Sequence, residues 1–193
     1  MLIKNDFEVA APVEKVWQFF DDIPQVAACL PGTELTKDLG NDKYEGRVAV
    51  RMGPVRLQFG GTAEITERDE AGKRVVIHAS GAEVRGRGQA SMVVTAVLAR
   101  AGRGTKVGVT QDLQLAGAAA QYGRGMISDV TSVLMRDFSA NMAARIDAAE
   151  RGHTPAHAAA SPAGGFTLGM RAAMMALQRV FARFFLPYRP NPT

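Results

Sequence analysis

From Lys43 to Leu115 the chain alternates apolar and polar residues with a period of two, one segment after another, and at 118 the period changes to about four and holds through 149. That change confines the fold. Strands joined by short turns pair as an antiparallel meander. Clean alternation gives each strand one wet face and one covered face. In 43–52, Tyr44, Gly46, Val48, Val50 and Met52 share a face, opposite Lys43, Glu45, Arg47 and Arg51. After the turn Met52-Gly53-Pro54, residues Val55, Leu57, Phe59, Gly61, Ala63 and Ile65 point one way. Further strands are expected near 73–81, 87–100 and 104–115. Tyr122, Met126, Val130, Leu134, Phe138, Met142 and Ile146 then make a helical stripe thickened by Val133. A helix of that length spans about 45 Å, enough to cross a whole sheet diagonally.

Upstream, residues 2–10 read as a first strand. Ala11-Pro12-Val13-Glu14 opens a short helix with Val13, Val16, Trp17 and Phe20 on one face, and a second helical turn covers 23–28 before Pro31-Gly32 breaks the chain. Downstream, 151–165 is an Ala, Gly, Pro, Ser and His linker. The expected fold is therefore α+β: a strongly bent antiparallel sheet wrapped on one long helix, with an apolar space between them. The organisation is a domain over 1–150, a linker over 151–165 and a tail over 166–193.

Charge is distributed unevenly. Residues 151–193 hold five Arg and no Asp or Glu, whereas the first 150 residues hold 18 basic and 19 acidic side chains and are nearly neutral. A basic tail on a neutral body points to an anionic surface. On a helix, Arg171, Arg179 and Arg183 gather on one side, and Phe166, Met170, Leu177, Val180, Phe181 and Phe184 on the other, widened by Phe185 and Leu186. Arginines at headgroup level above aromatic side chains is the pattern of an interfacial helix. The residues expected at the membrane are Phe166, Met170, Leu177, Arg179, Val180, Phe181, Arg183, Phe184 and Phe185. Docking in a protein groove is the alternative. Nucleic acid is not expected, because the cations are few and aliphatic side chains separate them. No stretch of 18 uncharged apolar residues occurs, and no secretory signal is recognisable at the N-terminus.

Three stretches resemble a known family. They are Ala10-Ala11-Pro12-Val13-Glu14-Lys15-Val16-Trp17, then Asp22-Ile23-Pro24-Gln25-Val26-Ala27-Ala28-Cys29-Leu30-Pro31-Gly32, and Val50-Arg51-Met52-Gly53-Pro54-Val55 followed by Phe59-Gly60-Gly61. Residues 1–150 resemble the START-like (SRPBCC) superfamily with its helix-grip fold, and within it the CoxG family associated with carbon monoxide dehydrogenase. The loop Glu83–Gly88 is richer in Arg than that family leads one to expect. The resemblance implies a non-catalytic accessory protein. Its partner would be a molybdenum hydroxylase of the carbon monoxide dehydrogenase type, held at the inner face of the cytoplasmic membrane. A lipophilic quinone, menaquinone or ubiquinone, would sit non-covalently in the cavity. The rival readings are a recruitment adaptor without a ligand and a polyketide cyclase-like enzyme on the same fold.

The cavity residues expected from the pattern are Trp17, Phe20, Tyr44, Val50, Phe59, Met92, Val109, Gln111, Tyr122, Met126, Val130 and Leu134. Gln111 interrupts Val107, Val109, Leu113 and Leu115, and is a candidate hydrogen-bond donor to a ligand carbonyl or to a backbone group. Tyr44 and Tyr122 are similar candidates, with amphipathic packing as the default. The run Gly117–Ala120 with Gly123 and Gly125, at about 1 kcal/mol per glycine inside a helix, reads as close helix–sheet packing or as a flexing portal. Catalytic residues are not expected: no carboxylate pair in an apolar setting and no Ser or Cys with a neighbouring His stands out. Cys29, the single cysteine, reads as a small buried apolar residue and precludes an intrachain disulfide. His153 and His157 lack a third ligand, so no metal is expected. Gly86-x-Gly88 precedes a strand and is no dinucleotide fingerprint.

Overall fold

A computed structural model of the chain describes residues 1–152, so the linker and tail expectations, with His153 and His157, lie outside the described residues. Seven strands, β1 (Leu2–Val9), β2 (Thr33–Gly40), β3 (Lys43–Met52), β4 (Val55–Asp69), β5 (Arg74–Glu83), β6 (Gly88–Ala101) and β7 (Gly104–Gly117), form one antiparallel sheet in the order β1-β7-β6-β5-β4-β3-β2. Helices α1 (Val13–Asp21) and α2 (Ile23–Cys29) fill the connection from β1 to β2, and α3 (Arg124–Glu150) follows β7. This is the helix-grip arrangement.

The first helix begins at Val13 and buries Val13, Val16, Trp17, Phe19 and Phe20. Asp22 ends it and starts α2, accepting hydrogen bonds from the Gln25 amide (3.1 Å) and the Gln25 side chain (2.6 Å). The buried residues of α1 pack with Cys29, Val107, Phe138, Met142 and Ile146 into the larger core cluster. Phe7 meets Phe138 edge-on at 5.9 Å between ring centroids. Asn141 ties α3 to α2 by donating to the Cys29 carbonyl at 2.9 Å. A second cluster, of Ile3, Met52, Leu57, Ala119 and Ile127, closes the other end of the sheet.

Two elements differ from the sequence reading. Residues 33–40, to which the sequence reading assigns no element, form a strand that follows the break at Pro31-Gly32. Its alternation fails after Leu35, where Lys37, Asp38 and Leu39 are all exposed, and its pairing with β3 slips at Leu35/Lys37 and again at Asp38/Gly40. Charges and bulges are how edge strands resist pairing with other chains, and they also erase period two. The long helix starts at Arg124, not at 118. Gly117 has a φ of +71°, Ala118–Gln121 make a single 3₁₀ turn, and Tyr122 is extended. The glycine run therefore belongs to the connector and the first helical turn, where it carries little of the helix-interior cost.

The sheet bends along a row of residues without side chains. Gly46 faces Gly61 across β3–β4, Gly61 faces Gly81 across β4–β5, and Ala90 continues the row on β6. A Cβ on Gly61 would sit 2.0 Å from the Ser80 carbonyl oxygen, so the strands there run closer than any side chain permits.

Candidate ligand cavity

The two core clusters do not meet. Between them, under α3, lies a cavity of about 430 Å³, within the range of small-molecule sites. Its floor is the inner face of β3–β7, emptied by Gly46, Gly61, Gly81, Ala63, Ala79 and Ala90. Phe20 of α1, Ile23 and Val26 of α2, and Leu30 just after that helix wall one end. Met52, Leu57, Ala119 and Ile127 wall the other. Val130, Thr131, Leu134, Met135 and Phe138 of α3 roof it, spaced as one face of a helix requires.

Nine of the twelve expected residues line this space: Phe20, Tyr44, Val50, Phe59, Met92, Val109, Gln111, Val130 and Leu134. Three do not. Trp17 is packed in the core on the adjoining side of α1, with the Lys73 ammonium 5.2 Å from its ring centroid. Tyr122 packs against the Met52 and Leu57 cluster from the extended connector, because the helix starts after it. Met126 lies in the first turn of α3 and is 44% exposed, one residue off the face that Ile127 and Val130 present. The wall formed by α2 was missed: seven residues are too few to display a helical period. Ala63, Ile65, Ile77 and Ala79 share the parity of residues already assigned to the covered face, and that parity is the signal that finds them.

The polar equipment is sparse. Gln111 is 6% exposed, and its side-chain amide makes no hydrogen bond among the described residues. Among the described residues the one sealed side-chain polar atom without a partner is Nδ2 of Asn5, so the Gln111 amide keeps access to the cavity space, where a ligand atom can pair with it. Tyr44 stands half-buried on the wall; burial, with the nearby Asp38 and Asp42 charges, holds its phenol above the usual pKa, so it stays a neutral donor. The Thr131 hydroxyl is already spent on the Ile127 carbonyl at 2.8 Å. Arg47 is the one charged residue on the lining, and no Asp, Glu, His, Lys or Cys joins it among the described residues. Cys29, the last residue of α2, is fully buried, and burial pushes its thiol up to about 11 against the opposing pull of Arg145. His78 is exposed on the outer face of the sheet, in a shallow groove with Lys43, Glu64 and Asp112. The arrangement can solvate an apolar body and satisfy one or two polar atoms. Its titratable lining groups among the described residues are Tyr44 and Arg47. No group of three or more metal-ligating side chains occurs among the described residues, and no described helix is long and apolar enough to cross a membrane.

Comparison with known proteins agrees with this geometry. The model of one protein family, CoxG, described as the G subunit of carbon monoxide dehydrogenase, matches residues 6–147. No curated protein matches the sequence. Among solved structures, a conserved protein from Geobacillus kaustophilus superposes with a TM-score of 0.69 at 20% identity, covering 76% of this chain and 95% of that one. The ZhuI aromatase/cyclase from Streptomyces sp. R1128 superposes with a TM-score of 0.57 at 15% identity, covering 78% and 96%. A Thermus thermophilus protein gives 0.54 at 17%, covering 75% and 98%. At these identities the structural likeness speaks to the fold.

Proposed function

This chain belongs to the CoxG family of carbon monoxide dehydrogenase, and from that premise we propose that it is a non-catalytic accessory protein whose cavity carries a lipophilic quinone. The observation that supports the reading is Gln111, whose amide stands on the wall of an otherwise apolar cavity with no hydrogen-bond partner among the described residues. A quinone is an apolar ring with carbonyl acceptors, and one carbonyl placed at Gln111 receives the N–H that the protein leaves unmet. Tyr44 is the second donor within the same lining. The cavity volume suits the ring and a short run of prenyl groups.

On this reading the partner is a molybdenum hydroxylase of the carbon monoxide dehydrogenase type, at the inner face of the cell membrane. The tail over 166–193 holds the domain there by Phe181, Phe184 and their neighbours, with Arg179 and Arg183 at the headgroups. Keeping enzyme and quinone pool together raises their effective concentration without a new contact. A cyclase-like reaction on the same fold would be favoured by a carboxylate or imidazole at the wall, and the described lining has neither. Isothermal calorimetry with a short-chain naphthoquinone tests the proposal. Saturable one-to-one binding is expected, weakened by about 1–3 kcal/mol in Gln111→Leu. Binding that is absent, or identical in the variant, would remove the role given to Gln111.

A further inference from the structure

The end of the domain where the long helix begins carries five arginines and almost nothing to neutralise them. Arg51 and Arg56 face each other across the β3–β4 hairpin. Arg85 and Arg87 stand on the β5–β6 turn. Arg124 is the first residue of α3, where the helix dipole adds its own positive end. All five are exposed. Hydrogen bonds bring them to one place. The Val84 amide donates to the Gln58 carbonyl at 2.8 Å, two residues from Arg56, and the Ala118 amide donates to the Arg87 carbonyl at 2.7 Å, tying the turn to the connector that leads into α3.

Within 50–58, 83–88 and 116–126 the one carboxylate is Glu83. It is 4% exposed and fully engaged, accepting from the amides of Arg85 (2.9 Å) and Arg87 (3.3 Å) and from the Arg87 guanidinium (3.4 Å). Arg51, Arg56, Arg85 and Arg124 have no ion-pair partner among the described residues. The opposite end is the reverse: Arg68 pairs with Asp21, Lys73 with Glu14 at 3.1 Å, and Lys15 with Glu150. Like charges directly opposite on neighbouring strands destabilise a hairpin, so the Arg51–Arg56 pair is retained at a cost to the fold. Apolar side chains stand among the cations, Val84 at the tip of its turn 62% exposed and Met126 44% exposed. Guanidinium groups at phosphate level with an aliphatic tip between them match a bilayer surface better than an acidic protein face.

We propose that this end of the domain, and not the tail alone, docks on an anionic lipid bilayer, with Val84 inserted and Arg51, Arg56, Arg85 and Arg124 on lipid phosphates, while Arg87 stays on Glu83. The proposal does not depend on what the cavity holds, so its failure and that of the quinone reading are separable. The test uses the full chain. Cys29 is buried and stays unlabelled, so Val84→Cys and, on the β6–β7 turn at the opposite end, Arg103→Cys can each carry an environment-sensitive fluorophore. With phosphatidylglycerol vesicles, position 84 is expected to brighten and shift to the blue while position 103 does not, and phosphatidylcholine vesicles give neither response. Arg51→Gln with Arg56→Gln is expected to weaken vesicle affinity about 25-fold, at about fivefold per arginine, without lowering the melting temperature. Vesicle binding with position 84 unchanged would mean that the tail alone holds the protein and that the arginines serve an acidic protein face. That result overturns the proposal, as do equal responses at both positions and a failure to bind anionic vesicles.

Discussion

Several single residues bear more than their size suggests. Thr105 is fully buried, and its hydroxyl donates to the Ala11 carbonyl at 2.7 Å, fastening the end of β1 to β7. Thr105→Val keeps the shape and strands that carbonyl, so a loss of about 1–3 kcal/mol in urea unfolding is expected. Glu83 is a different case. Burial works to raise its pKa, but the hydrogen bonds from the Arg87 side chain and from the Arg87 and Arg85 amides, with the Arg87 charge, outweigh it and hold the carboxyl below its usual value. A depressed pKa in the folded state means stability that is complete above the unfolded value of about 4.3 and is lost as pH falls through the lower folded one. Glu83→Gln should therefore lower the melting temperature at pH 7, with the gap closing as pH falls below about 4. A gap that persists unchanged in acid would mean that the carboxylate charge is not what closes the turn. Gln111 was legible in the sequence because one amide interrupts an apolar alternation. Glu83 was not, because a charged residue beside a turn looks the same whether it is buried or exposed.

At the scale of elements, the bend in the sheet rests on the row Gly46, Gly61 and Gly81. Neighbouring glycines in β4 give a controlled comparison. A Cβ on Gly60 meets nothing within 4 Å, whereas one on Gly61 strikes the Ser80 carbonyl oxygen at 2.0 Å. Gly61→Ala should destabilise by at least the roughly 1–3 kcal/mol of an overpacked site, and Gly60→Ala should cost less than half as much. Equal melting temperatures for the two variants would show that the strands can spread. Strands β3 to β7 were readable because alternation survives wherever one face is covered. Strand β2 was not, because an edge strand gives up alternation for charge and bulges. The start of α3 was misplaced because Ala118–Gln121 and Tyr122 continue the apolar rhythm, while the backbone, led by the positive φ of Gly117, does not follow it.

At the scale of the molecule, two core clusters held apart by missing side chains define a fold whose middle is empty. Nine of the twelve anticipated lining residues fall on it because parity on a strand and spacing on a helix are both one-dimensional signals. The arginine end is not such a signal: Arg51, Arg56, Arg85, Arg87 and Arg124 come from three connections and meet only after folding, inside a body whose net charge is near neutral. Filling the cavity tests the proposed role without touching any surface. Ala79→Phe should keep the chain folded, with circular dichroism unchanged, and exclude a ring from the site.

The most direct measurement is solvent extraction with mass spectrometry of the full chain, purified without detergent from a host that makes quinones, beside Ala79→Phe handled identically. A near-stoichiometric quinone is expected with the native protein and little with the variant. A native protein that carries no lipophile, or a variant that carries as much, would contradict the quinone reading.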